Sequence, residues 1–129
     1  MAKFLTSSWM DDLTETINAH EGFKSSIAGI ELTLEFKTSD APEGTEPVYH
    51  ITIADGRAAA APGPADNPDV TIINSYETAV AISKGELNTQ MAFMTGKLKV
   101  EGNIGKLMMH QSMLSQYATA AAGTTVEYD

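Results

Sequence analysis

Residues Ile30 to Lys37 read Ile-Glu-Leu-Thr-Leu-Glu-Phe-Lys, an alternation of apolar and polar side chains without a break. Successive side chains of a strand point to opposite faces, so Ile30, Leu32, Leu34 and Phe36 share one face and Glu31, Thr33, Glu35 and Lys37 the other. The pattern predicts a strand that is apolar on one side and wet on the other. Whatever else the chain forms must cover the apolar side.

Candidate covers are present on both flanks. Ser7 or Ser8 can cap a first helix, with Asp11 and Asp12 in the opening turn where the helix dipole favours negative charge. Trp9, Leu13 and Ile17 follow at i, i+4 and i+8, one apolar stripe, and Gly22 is expected just past the helix end. After the proline- and glycine-containing loop Thr38 to Pro47, Val48 to Ala54 reads as a second strand, closed by the hairpin signal Asp55-Gly56. Arg57 to Ala61 would return as a third strand whose small side chains leave space on a sheet face. A turn-rich break from Pro62 to Pro68 leads to a short strand, Val70 to Ile73, expected to be buried on both sides.

Asn74 or Ser75 caps a helix over Tyr76 to Lys84, which Gly85 ends; Asn88 or Thr89 starts a short helix to Phe93 or Met94, which Gly96 ends. Lys97 to Glu101 is a fifth strand, and Asn103 caps a last helix from Ile104 to about Ala118. Ile104, Leu107, Met108, Leu114 and Tyr117 share a face of that helix, which Met109 and Met113 widen, so contact on more than one side is expected. The alanine-rich end with Gly123 reads as frayed or loosely docked. The order predicts an α+β domain with a mixed sheet, in which the two-helix connection before the fifth strand is long enough for a crossover to a parallel partner.

With 129 residues the chain can bury a sizeable core, and residues 1–129 are expected to form one domain. The absence of cysteine rules out disulfides, thiolate metal sites and thiol catalysis. The first residues lack the apolar core of a signal peptide, and no stretch approaches the ~20 apolar residues of a membrane span, so a cytoplasmic protein without stable membrane insertion is expected. A formal net charge of −9 disfavours nucleic acid as a partner. The charge is uneven: residues 1–83 carry 4 basic and 13 acidic groups, whereas 84–106 carry 4 and 2.

No catalytic set emerges. His20-Glu21 opens the zinc-protease string, but Lys24 stands where the second histidine belongs, and His20, His50 and His110 fall on three different elements. The nucleophile elbow, the phosphate-binding loop and the dinucleotide fingerprint are all missing. Asp11-Asp12 is explained by the helix dipole. The expectation is therefore no enzyme, no metal and no cofactor. Gly102-Asn103-Ile104-Gly105-Lys106 imitates the Gly-x-x-Gly loop of a nucleic-acid-binding module, but it reads more simply as a helix start whose free N–H groups, with Lys97, Lys99, Asn103 and Lys106, form a candidate anion or headgroup site. Plain capping beside solvated lysines is the alternative.

Five of the seven methionines, Met91, Met94, Met108, Met109 and Met113, lie within 23 residues. Thioethers adapt to irregular apolar shapes, so they either fill gaps in a core or line a surface that accepts varied ligands.

The stretch Phe-Met-Thr-Gly-Lys-Leu-Lys-Val-Glu-Gly-Asn-Ile-Gly, residues 93–105, resembles the sterol carrier protein two family, whose pattern reads Phe-x-x-Gly-Lys-Leu-Lys-Ile-x-Gly-Asn-Met-Gly. The resemblance is strongest from 69 to 111. It implies a five-stranded mixed sheet covered on one face by helices, enclosing an apolar lipid tunnel. It also implies a non-enzymatic function of lipid binding and transfer, the ligand being a fatty acid, acyl-CoA, sterol or similar molecule. The tunnel is then expected to be lined by Leu13, Ile17, Tyr76, Val80, Met91, Phe93, Met94, Leu107, Met108, Gln111 and Leu114. Gln111 aligns with a glutamine often seen in the family's pattern; it would either orient a ligand's polar end or stay solvated. The final residues are not of the peroxisomal Ser-Lys-Leu type, and the acidity contrasts with the basic animal carriers. A second reading is an accessory subunit that presents a hydrophobic substrate to a partner enzyme, or a homodimer formed through the last helix.

Overall fold

A computed structural model describes residues 2–124 and 126–128, with the backbone alone at Thr89 and Gln90. In chain order the elements are β1 (Ala2–Lys3), α1 (Ser7–Ala19), α2 (Glu21–Ser26), β2 (Leu32–Ser39), β3 (Val48–Ala54), β4 (Arg57–Pro62), β5 (Val70–Ser75), α3 (Tyr76–Ser83), α4 (Thr89–Met94), β6 (Leu98–Gly102), α5 (Ile104–Met108), α6 (Gln111–Ala121) and β7 (Val126–Glu127). Five strands form one mixed sheet in the order β4-β3-β2-β5-β6.

The alternation sets the sheet's two faces. Cross-strand register aligns Leu32, Leu34 and Phe36 with Ile53, Ile51 and Tyr49 of β3, which in turn face Ala58, Ala60 and Pro62 of β4. On the other side Leu34 and Phe36 lie beside Val70 and Ile72, and Ile72 faces Val100. One face is thus apolar across all five strands. At the β3–β4 turn Asp55 and Gly56 both have positive φ, 55° and 75°, as the tight hairpin predicted from Asp-Gly requires.

Several expectations need correction. The sheet's parallel pair is β2–β5, reached through the β3–β4 hairpin, whereas the two-helix connection α3–α4 joins β5 to β6 as antiparallel neighbours. Val70 and Ile72 are buried, but Thr71 and Ile73, on the polar face, keep partial exposure. Thr6, not Ser7 or Ser8, caps α1: it is extended, and its Oγ1 accepts from the Trp9 N–H at 3.3 Å. Gly22 does not follow the helix end but lies inside α2, which starts because His20 leaves helical geometry and its Nδ1 accepts from the Phe23 N–H at 3.1 Å. The last helix is two, broken at Met109 and His110. At about 100° per residue, Leu107 and Met113 would point roughly 120° apart on one straight helix; the break lets both be buried. The chain's far end is docked, since β7 runs parallel to β1 and the Phe4 N–H donates to the Glu127 carbonyl at 2.9 Å.

The polar face is partly roofed by the 62–69 connection. Ala65 N–H donates to Glu35 Oε1 at 2.9 Å, His50 Nδ1 donates to the Gly63 carbonyl at 2.9 Å, and Asp69 Oδ2 accepts from the Thr33 N–H at 2.8 Å. Glu35, expected in water, is therefore only 5 % exposed. Gly102, with φ 98°, closes β6 against β5; a Cβ there would stand 2.6 Å from the Asp69 carbonyl oxygen. Among the described residues no helix is long and apolar enough to cross a membrane.

Candidate functional site

The candidate site is the apolar sheet face and the helices above it, and the two halves of that face are closed differently. Over β3 and β4 the lid is α1, whose residues Trp9, Met10, Leu13 and Ile17 are all buried. Ala58 and Ala60 are small enough for α1 to reach the edge strand itself. Asn18 Nδ2 donates to the Ala58 carbonyl at 2.7 Å, its Oδ1 accepts from the Ala58 N–H at 3.0 Å, and Thr14 Oγ1 accepts from the Ala60 N–H at 2.9 Å. The space expected from the small residues of this strand is thus taken by the protein's own helix, which also satisfies the exposed edge.

Toward β5 and β6 the cover is thinner. There α3 lies against β5 and α4 against β6, while α6 rests on α1 and α2. Phe36 and Val100 belong to the apolar face yet keep accessible surface, as do Tyr76, Val80, Leu114 and Tyr117 of the covering helices. These partly buried groups line the looser side of the interior.

Of the eleven residues expected to contact lipid, Leu13, Ile17 and Leu107 are in the core, and Tyr76, Val80 and Leu114 rest partly buried against it. Met91, Phe93, Met94 and Met108 are exposed, Met94 by 74 % and Met108 by 51 %. Gln111 is exposed too, its Nε2 3.9 Å from Met108 Sδ. The structure therefore brings together an inner group on α1, α3, α5 and α6 and leaves an outer one on α4, α5 and the start of α6. Ile104 and Met109 add to that outer apolar surface.

The expected anion site divides similarly. Asn103 caps α5 through Oδ1, which accepts from the Lys106 N–H at 3.0 Å, as its capping role required. Lys106 Nζ donates to Asp69 Oδ1 at 3.2 Å, while Lys97 and Lys99 are exposed. The Thr33 N–H, and after it Lys106, hold the Asp69 carboxyl below the usual range. Lys106 thus has an internal counter-charge.

Two aromatic residues outside the expected set belong to the core or pack against it. Tyr49, 6 % exposed, stacks on Phe36 with ring centroids 4.7 Å apart and meets the Trp9 edge at 5.6 Å. Tyr117 continues the inward stripe of Met113 and Ala120 on α6, its ring 6.1 Å from that of Phe23. Burial pushes both phenols well above their ordinary value. The alternation around Ile51 and Ile53 extends to Tyr49, and Tyr117 shares the last helix's apolar face, so the sequence marks each as an inward residue.

Two open grooves lie elsewhere, one lined by Asp11, Thr14, Glu15, Asn18, Ala19 and Arg57, the other by Thr33, His50, Thr52 and residues 64–67. Neither includes an expected lipid contact. Among the described residues no three His, Asp or Glu side chains are placed to hold a metal.

The model of the SCP-2 sterol transfer family matches residues 10–115. Sterol carrier protein 2 of Rattus norvegicus is 34% identical over 96 residues, which are 74% of this chain and 17% of the rat protein. The chain thus spans a small part of that relative's length. A crystal structure of sterol carrier protein 2 superposes with a TM-score of 0.80 at 20% identity, covering 95% of this chain and all of that one, a likeness of fold. The sterol carrier protein domain 2 of Helicoverpa armigera gives a TM-score of 0.67 at 29% identity, covering 93% of this chain and 90% of that one.

Proposed function

The chain belongs to the SCP-2 sterol transfer family, and from that premise we propose that it binds and transfers a long apolar lipid without changing it chemically. A fatty acid, an acyl-CoA, a sterol or a lipid of similar length would lie in a tunnel between the apolar sheet face and α3, α5 and α6. The match from residue 10 to 115 carries this reading, because it takes in every strand of the main sheet and runs from α1 into α6. The half-covered side chains Phe36, Val100 and Leu114 support it as the seam along which the helices part. Leu13, Ile17, Tyr76, Val80 and Leu107 would line the tunnel. Met91, Phe93, Met94, Met108 and Gln111 would turn inward or stand at its mouth once lipid enters, a change that flexible thioether side chains make at low cost. One domain over residues 1–129, working in the cytoplasm, completes the proposal. Native mass spectrometry of the purified protein, followed by organic extraction, tests it: a stoichiometric co-purifying lipid is expected, whereas an empty protein that also refuses a fluorescent fatty acid would refute it.

The outer apolar surface favours a second reading. Among the described residues the exposed large apolar side chains all fall between Met91 and Met109, and a surface of that kind suits a partner. In this reading the domain presents its lipid to a partner enzyme or pairs with a second copy. Sedimentation with and without lipid separates the two: a lipid-free dimer unchanged by lipid supports assembly, and a monomer under both conditions opposes it.

A further inference from the structure

The strand order leaves the sheet with two edges, β4 and β6. The β4 edge is closed by Asn18 and Thr14 of α1. The β6 edge has no such cover: no described residue outside β5 bonds to the backbone of Leu98 or Val100. The ladder shows which groups that edge presents. The Asn103 N–H donates to the Asp69 carbonyl at 2.7 Å, and antiparallel pairs alternate from there, so Thr71–Glu101 and Ile73–Lys99 are the hydrogen-bonded pairs. The N–H and C=O groups of Leu98 and Val100 therefore point away from β5. Lys99, Glu101 and Gly102 are exposed beside them, and Val100 is half-covered.

An uncovered edge is a template for another strand, and a lone lysine on it commonly guards against pairing. Here Glu101 follows Lys99 on the same, polar face of the sheet, and neither makes an ion pair with a described residue. Two copies of β6 paired antiparallel about Val100 set Lys99 of each opposite Glu101 of the other. Those are non-hydrogen-bonded positions, where opposed side chains stand closest. Val100 then faces its own copy in a hydrogen-bonded pair, so the outward backbone groups and the two charges are matched in one register. Moving the axis to residue 99 or 101 would oppose two lysines or two glutamates. The charges thus select both the partner and the register.

A strand of five residues buries too little by itself for a stable dimer. Its flanks supply the rest. Among the described residues the exposed large apolar side chains are Met91, Phe93 and Met94 of α4, just before β6, and Ile104, Met108 and Met109 in or directly after α5, just past it. Antiparallel pairing brings the start of one β6 to the end of the other, and so carries α4 of each copy toward α5 of its partner. We infer that the chain forms a two-fold dimer through its β6 edges, centred on Val100, with reciprocal Lys99–Glu101 pairs on the polar face and a continuous apolar face on the other. The inference rests on the reading in which a second copy covers the outer surface, and it adds the strand, the symmetry and the register.

Sedimentation equilibrium of the lipid-free chain and its charge-reversal variants tests this. The wild type is expected to dimerise. Lys99→Glu and Glu101→Lys each put like charges opposite one another at both symmetric pairs, and each should raise the dimer Kd at least about tenfold. The double variant exchanges the two charges and should return the Kd to within about threefold of wild type. An equimolar mixture of the two single variants should form the heterodimer in preference to either homodimer. A dimer that both single variants keep in full, or that the double variant fails to restore, would overturn the β6 pairing while leaving a second copy on some other surface. A wild-type monomer at every concentration would overturn both the inference and the second-copy reading. Should one single variant fail to fold, the other together with the double variant decides.

Discussion

Asn18 clasps Ala58 at both of its backbone polar groups, donating through Nδ2 at 2.7 Å and accepting through Oδ1 at 3.0 Å. The amide thereby continues the hydrogen-bond ladder of edge strand β4 into α1 and fixes the helix against the sheet. Replacing Asn18 with Ala removes two hydrogen bonds and leaves an N–H and a carbonyl of the edge unmatched beneath the helix. The expected cost is ~1–3 kcal/mol, read as a lower urea midpoint at unchanged slope. A variant as stable as wild type would mean that water replaces the amide at no cost.

Asp69 links three segments: Oδ2 accepts from the Thr33 N–H, Oδ1 pairs with Lys106, and its carbonyl accepts from the Asn103 N–H at 2.7 Å. The backbone bond from Thr33 first, and the Lys106 ammonium after it, lower the folded-state carboxyl below its unfolded value of 3.8. A carboxyl with a depressed folded pKa stabilises above its unfolded pKa, and that contribution is lost as pH falls from about 4 through the folded value. Asp69→Asn should therefore be less stable than wild type near neutrality, with the gap closing in acid. Urea midpoints measured from about pH 7 down to about pH 3 check this; a gap that is constant with pH would assign the loss to packing instead of charge.

Met108 is half exposed, so Met108→Lys should change stability by less than about 0.5 kcal/mol. Under the proposed function the same substitution should abolish lipid uptake, because an ammonium would have to follow the chain into an apolar space. Uptake by the folded variant equal to that of wild type would remove Met108 from the lipid path.

Affinity for a homologous series of lipids should rise by about 0.8 kcal/mol per methylene before ordering costs, and then level off at the chain length that fills the tunnel. Calorimetric titration of alcohols from ten to eighteen carbons reads both the slope and the plateau. A flat series would point to binding at the surface.

How far the sequence reveals the molecule follows from the range of each interaction. The alternation over residues 30–37, the Asp55-Gly56 turn, the Ser75 cap of α3 and the Asn103 cap of α5 depend on neighbours within a few residues, and each is recovered. The resemblance over 93–105 led to the right family. Features set by distant partners were not legible. The small residues of β4 looked like free space because nothing local says that Asn18, forty positions earlier, fills the edge. The split between α5 and α6 serves the burial of both Leu107 and Met113, which no helical periodicity expresses. Tyr49 and Tyr117 can be read from their stripes, but the ring partners they meet, Phe36 and Trp9 for Tyr49 and Phe23 for Tyr117, are set by distant segments.

The central claim is that lipid enters the layer between the sheet and the helices. Methyl NMR of the protein titrated with 1-hexadecanol tests it most directly. The account predicts saturable, stoichiometric shifts at Ile72, Val100, Leu107 and Leu114. Shifts confined to Ile104 and Met109 on the outer surface, or no saturation, would contradict it.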